Sequence, residues 1–306
     1  MDSQERRVAS TAMDWKRKAN QALSGLTGLQ ISKAGTSGSV PGPFTATAAA
    51  ETIRPPADRA TDRLLTAPVF IISPVRSGST LLRALLDAHS KLHAPHELHV
   101  RRLTVGFGTL LAEQAMEALG HNQADLEHLL WDRVLHRELV RSGKETIVDK
   151  TPANAFAYKR LITCWPDARF VFLLRHPVSI ARSWHEASPE KRSQEEAALD
   201  ALRYMKAVEK ARSALTGPTL RYEDLTADPE RETRRVCDFL GIPWEPGMLT
   251  YGDRLLLRKG LGDWKDKIRS GTVQAGRELP PAEEIPDALR SICVRWGYTA
   301  DQAEGP

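Results

Sequence analysis

Two short segments combine arginine, hydroxyls and backbone turns in a way that suits the holding of phosphate. One is Pro74-Val75-Arg76-Ser77-Gly78-Ser79-Thr80, and the other is Arg175-His176-Pro177 with Ser183 eight residues after the arginine. Each follows an apolar, β-prone run, Val69-Phe70-Ile71-Ile72 or Phe170-Val171-Phe172-Leu173-Leu174, and each precedes helix-like sequence. Strand, tight loop and helix together aim backbone N–H groups at an anion. Two such loops, each with its own arginine and hydroxyl, predict a ligand with two separate anionic ends.

The first loop invites comparison with the nucleotide-binding P-loop, G-x-x-x-x-G-K-[ST], whose lysine neutralises the β and γ phosphates. Gly78 and Thr80 fit the last glycine and the hydroxyl, but Ser79 stands at the lysine position and Ser73 at the first glycine. The positive charge has moved to Arg76. The phosphate cradle is retained and the device for a triphosphate is not.

These residues resemble the sulfotransferases that use 3′-phosphoadenosine-5′-phosphosulfate (PAPS). In that family a [KR]-S-G-[ST]-[ST] loop after the first strand holds the 5′-phosphosulfate, and Arg76, Ser77, Gly78, Ser79 and Thr80 match it. The family's 3′-phosphate pair is an arginine ending a later strand and a serine eight residues on, matched by Arg175 and Ser183. A third element, K-G-x-x-G-D-W-K, is matched by Arg258-Lys259-Gly260-Leu261-Gly262-Asp263-Trp264-Lys265, one residue shorter between the glycines. The resemblance spans roughly residues 66–298 and implies that Arg258, Lys259 and Gly260 also contact the cosubstrate, as does Tyr222 of Tyr222-Glu223-Asp224. The alternative for Tyr222-Glu223-Asp224 is a helix-start cap and packing cluster.

Transfer of a sulfuryl group to a hydroxyl needs a base for the acceptor proton and cations around the leaving oxygen. The stretch from Arg83 through Glu97 resembles the tyrosylprotein sulfotransferase branch and the sulfotransferase domains of bacterial polyketide assembly lines. That resemblance implies Glu97 as the base, with His96 and His99 as alternatives. It also implies Lys150 beside the leaving group and no obligatory metal. His89, His93, His96 and His99 do not form H-E-x-x-H, and they read as acceptor-pocket and surface residues. Asp149, at the end of an apolar strand, offers a Walker B-like magnesium ligand for a rival reading, an ATP-dependent phosphotransferase. A third reading is a catalytically silent nucleotide-binding relative.

Composition agrees with a cosubstrate-binding enzyme. At 306 residues with 41% hydrophobic content, the chain can fill one large α/β domain over residues 61–306. A net charge of only +4 argues against general nucleic-acid binding, while the mild basic excess suits an anionic cosubstrate. Cys164, Cys237 and Cys293 are too scattered for a disulfide framework or a zinc site and read as reduced thiols. With no run of ~18 apolar residues and no apolar region behind the N-terminus, neither a membrane span nor a secretory signal is expected. Cytoplasm is the expected compartment.

Residues 1–60 read as a leader: a short amphipathic helix over 12–30, then an Ala/Thr/Ser/Gly/Pro-rich linker over 33–60. Downstream, strands are expected at 68–73, 145–148, 169–174 and 219–220. Helices are expected from Ser79 to about Ala88, over 100–119, 124–141, 153–164 and 193–214, from Pro177, and from Pro229 to Leu240 with Asp228 as N-cap and Gly241 beyond its end. This alternation predicts a three-layer, P-loop-like α/β fold, a central parallel sheet with helices on both faces. Ligands in such sheets bind at the carboxyl ends of strands, where both anion loops fall. The helical stretch 100–141, with Leu103, Val105, Phe107, Leu110, Leu111, Met116 and Trp131, is the expected acceptor lid. The expected acceptor is a small-molecule or carrier-bound hydroxyl, such as a bacterial natural product.

Overall fold

The computed structural model describes residues 53–58, 61–251 and 271–299. The leader and linker expected over residues 1–60 lie outside the described residues except for 53–58, where Arg54 pairs with Asp125 and donates to the Gly120 carbonyl at 2.6 Å. Arg258, Lys259 and Gly260 also lie outside them.

Five parallel strands form the sheet: β1 (Val69–Ile72), β2 (Leu92–His93), β3 (Thr146–Asp149), β4 (Arg169–Leu174) and β5 (Thr219–Arg221), in the order β2-β3-β1-β4-β5. The apolar runs of β1 and β4 are unbroken because both faces are covered, as in parallel sheets generally. Phe70 and Ile72 enter one core with Trp131, Trp165 and Phe172, while Val69 and Ile71 enter the other with Leu82, Val171 and Leu220.

The second core is closed by α1 (Ser79–Asp87), whose Leu81, Leu82, Leu85 and Leu86 all point inward as their spacing predicted, and by residues of the two helices that follow β5. The first core is covered by residues of α3 (Gln123–Ser142), α4 (Tyr158–Cys164), α5 (Pro177–Glu186) and α6 (Gln194–Ala214), after the peripheral α2 (Leu110–Ala118). Then follow α7 (Tyr222–Ala227), α8 (Pro229–Leu240) and α9 (Asp287–Arg295). The Asp228 carboxylate caps α8 by accepting from Arg231 N–H, and Gly241 ends it in the left-handed conformation. From β1 the chain builds β2 and β3 on one side and crosses to β4 on the other. The strand order therefore reverses beside β1, and the crevice at the carboxyl ends of β1, β3 and β4 is the expected ligand site.

Two expected elements differ. The helix over 100–119 is a single 3₁₀ turn, Val100–Arg102, then extended chain, then α2. Gly106 and Gly108 interrupt it, and the Thr109 side chain starts α2 by accepting from Ala112 N–H. No side chain of α2 is buried, and Leu110 and Leu111 stand exposed. Trp131 belongs to the core and donates to the Leu103 carbonyl. The helix over 153–164 opens as a 3₁₀ turn, Pro152–Phe156, because Asn154 is drawn in to the buried Asp149 carboxylate. The two-residue β2 was not expected, and α7 begins at Tyr222, where a helix start was one of the two readings.

Candidate active site

The anion loops meet at one crevice. Gly78 starts α1 at φ 87°, and a Cβ there would come within 2.2 Å of the Tyr222 ring, so only glycine lets the loop lie against Tyr222. No side chain caps the start of α1 and no acidic residue lies in its first turn. Its N-terminus is therefore open to an external anion. Arg76, in the left-handed conformation at φ 59°, reaches across to β4's side and donates from Nε to Ser183 Oγ at 3.2 Å. Arg175, at the end of β4, donates to the Arg76 carbonyl at 3.1 Å and lies over the Tyr222 ring at 4.4 Å. Neither guanidinium forms an ion pair among the described residues. Burial, and then the neighbouring Arg175, pushes Arg76 below the usual guanidinium value; burial does the same to Arg175. Two half-buried guanidiniums side by side could hold a multiply charged anion.

The Ser77 side chain has a different task. Its buried hydroxyl donates to the Pro74 carbonyl and holds the loop's shape, outside the cavity lining. Glu223 also supports the site from behind, accepting from the His176 backbone N–H at 3.1 Å and the Tyr298 hydroxyl at 2.7 Å. Within Tyr222-Glu223-Asp224, Tyr222 lines the cavity and Glu223 braces the β4 turn.

A second group gathers at the end of β3. Lys150 Nζ donates to Glu97 Oε1 at 2.6 Å and to Thr80 Oγ1 at 3.4 Å. The lysine side chain is 1% exposed and Glu97 12%, and both line the same cavity as the anion loops. His99 Nε2 lies 3.4 Å from Glu97 Oε2. The four histidines are dispersed. His89 bonds the Pro243 carbonyl, His93 lies between Asp87 and Glu138, and His96 turns to the Glu97 carbonyl. Of the two alternative bases, His99 lines the cavity and His96 does not.

The magnesium role for Asp149 is not supported by its position. Asp149 is fully buried, and it accepts from Thr151 Oγ1 at 2.9 Å, Asn154 Nδ2 at 2.8 Å and the Leu98 backbone N–H. Thr151 Oγ1 in turn accepts from His99 N–H at 3.3 Å. Asp149 therefore braces the 97–99 loop against Lys150 and does not face the cavity. Among the described residues, no group of three or more His, Cys, Asp or Glu could hold a metal ion. Asp149→Ala strands three buried donors, and we expect a loss of about 2–4 kcal/mol of stability. A thermal midpoint unchanged from wild type would contradict the brace.

The cavity has a volume of about 380 Å³. Gly78, Ser79 and Thr80 of the first loop form one wall, with Arg76, Arg175 and Ser183; Glu97, His99 and Lys150 form another. Sequence reasoning missed Trp184, Tyr204, Tyr251 and Arg277, which also line it. They come from four separate segments, and no local spacing marks them. The three cysteines are buried and unpaired, and burial pushes Cys164 up to about 12 and Cys237 and Cys293 to about 11, as inert thiols require. No described helix is long and apolar enough to cross a membrane.

A family model described as the sulfotransferase family matches residues 68–246. Nodulation protein NoeE of Sinorhizobium fredii is 25% identical over 283 residues, with 75% of this chain and 65% of that protein covered. Protein-tyrosine sulfotransferase 1 of Danio rerio is 24% identical over 223 residues, covering 67% and 61%. The chain thus spans less than two thirds of the length of these curated relatives. Among solved structures, the sulfotransferase domain from the curacin biosynthetic pathway shares the fold, with a TM-score of 0.55 at 23% identity, covering 77% of this chain and 99% of that one.

Proposed function

Because the chain belongs to the sulfotransferase family, we propose that it moves a sulfuryl group from PAPS to an acceptor hydroxyl with Glu97 as the base. The observation that carries this reading is the Glu97–Lys150–Thr80 cluster, set in one cavity with the Arg76–Arg175 pair. The residues fit the cosubstrate. The uncapped start of α1 and the space kept open by Gly78 suit its 5′ end, and Arg175 with Ser183 suits its 3′-phosphate. Its place is to supply an activated sulfuryl group.

Glu97 accepts the acceptor's proton as the hydroxyl oxygen forms its bond to sulfur. Lys150, with Arg76, stabilises the negative charge that grows on the bridging oxygen as the sulfur–oxygen bond to phosphate breaks. In the free protein Lys150 is shared between Glu97 and Thr80 Oγ1. Lys150 would turn from Glu97 to the donor's leaving oxygen, which frees the Glu97 carboxylate for the proton. No metal has a role in these steps.

The acceptor we propose is a small-molecule or carrier-bound hydroxyl, such as a bacterial natural product. The fold shared with a domain of the curacin biosynthetic pathway supports this. A cytoplasmic setting is supported by the three buried, unpaired thiols. Labelled PAPS, with ATP–magnesium in parallel, offered with a panel of alcohols, phenols and glycans, with and without a chelator, tests the reading. Transfer unaffected by chelation is expected. Transfer only to glycans would remove the natural-product acceptor, and transfer from ATP–magnesium alone would remove the sulfotransferase reading.

A further inference from the structure

A third arginine group lies beyond the donor cradle and has no part in the steps above. Arg101 and Arg102 occupy the 3₁₀ turn that begins directly after His99 of the cavity wall. Arg203 precedes Tyr204, another wall residue, on α6. Phe156 joins them: it ends the turn whose Pro152 and Ala153 line the cavity, and it meets Tyr204 edge-on with centroids 4.9 Å apart. The Arg101 guanidinium lies 5.9 Å from the Phe156 centroid, and that of Arg203 lies 5.5 Å from Phe156 and 5.3 Å from Tyr204.

The charges in this group are poorly compensated. Among the described residues, Arg101 and Arg102 form no ion pair, and Arg203 has only Asp200, one turn away on the same helix at 3.2 Å. Arg101 Nε is buried with no hydrogen-bond partner. Burial first, then Arg102 and Arg203, pushes Arg101 below the usual guanidinium value, and Tyr204 alone opposes them. A solvated cationic surface would explain Arg102 and Arg203. It does not explain a buried, unpartnered donor on a guanidinium set over Phe156, whose ring meets the cavity residue Tyr204, since buried donors are normally paired.

We propose that Arg101, Arg102 and Arg203 form a subsite for a carboxylate or phosphate carried by the acceptor, whose apolar body lies along Phe156 and Tyr204. The subsite rests on the sulfotransferase reading for its place in the reaction. It adjoins His99 and Tyr204 of the cavity wall, on the side of Glu97, whereas Arg76 and Arg175 serve the donor's anions. The acceptor's charge and the donor's charges are thereby kept on separate arginines.

The test uses three probes with one chain length: ω-hydroxydodecanoate, ω-hydroxydodecyl phosphate and methyl ω-hydroxydodecanoate. Each is titrated calorimetrically into protein loaded with 3′,5′-adenosine bisphosphate, for wild type and for Arg101→Gln/Arg203→Gln. At least one anion is expected to bind about tenfold tighter than the ester, as charge-assisted bonds to a part-buried arginine allow. The double variant should erase that preference and leave bisphosphate affinity unchanged, and Arg101→Lys/Arg203→Lys should recover part of it. Which anion wins identifies the group. Equal or absent binding of all three probes, or a preference that survives in the glutamine variant, would overturn the subsite. If the bisphosphate itself does not bind, the donor reading fails, and the same titrations on the free protein still decide the subsite by the same criteria.

Discussion

Glu97→Gln is expected to lower turnover by about 10²–10⁴-fold while bisphosphate affinity stays at the wild-type value. Glutamine keeps the size of the side chain and can still accept from Lys150, which lies 2.6 Å from Glu97 Oε1. It cannot take a proton from an attacking hydroxyl at neutral pH. The loss therefore reports proton transfer and not the shape of the cavity. The carboxylate is free to take the proton once Lys150 turns from it to the donor. Single-turnover sulfuryl transfer, measured beside calorimetric binding of 3′,5′-adenosine bisphosphate, separates the two effects. Unchanged turnover in a variant that binds normally would remove Glu97 as base. His99, 3.4 Å from the Glu97 carboxylate and part of the same wall, would then take its place.

Lys150→Met is expected to lower turnover by about 10²–10³-fold, the usual loss when one preorganised donor to a developing negative charge is removed. Methionine fills most of the stem's volume, and the lysine side chain is only 1% exposed, so packing is largely kept. The ammonium is the group within reach of both Glu97 and Thr80. Its loss removes the cation for the breaking bond and also the partner that holds Glu97 in line. Lys150→Arg should restore part of the rate, because charge returns with a different geometry. A folded Lys150→Met protein with wild-type turnover would contradict the assigned role.

Much of this arrangement was legible from residue order because its signals are local. β1 and β4 announce themselves by apolar runs, and those runs are buried on both faces of the sheet. Ser79 to Asp87 shows its helix by four leucines on one side, and α8 by Asp228 before it and Gly241 after it. The two anion loops follow from their place at strand ends. What was not legible depends on chain segments that are far apart. Lys150 meets Glu97 across 53 positions, and Arg76 meets Ser183 across 107. Nothing in the spacing around Asp149 says that its oxygens are used by Thr151, Asn154 and Leu98 and so face away from a cation. The hydrophobic spacing across 100–119 overstated the helix, because Gly106, Gly108 and the cap at Thr109 outweigh the apolar pattern there. Trp184, Tyr204 and Arg277 reach the cavity only through the packing of α5, α6 and the C-terminal segment.

The central claim is a two-anion site built from both loops, and one titration tests it most directly. Wild type and Arg175→Ala are titrated with 3′,5′-adenosine bisphosphate, and with ATP–magnesium in parallel. The account predicts that wild type binds the bisphosphate in preference to ATP–magnesium, and that Arg175→Ala, folded but missing the guanidinium that lies over Tyr222 and against Arg76, loses that binding. Preference for ATP–magnesium, or bisphosphate binding untouched by the mutation, would contradict it.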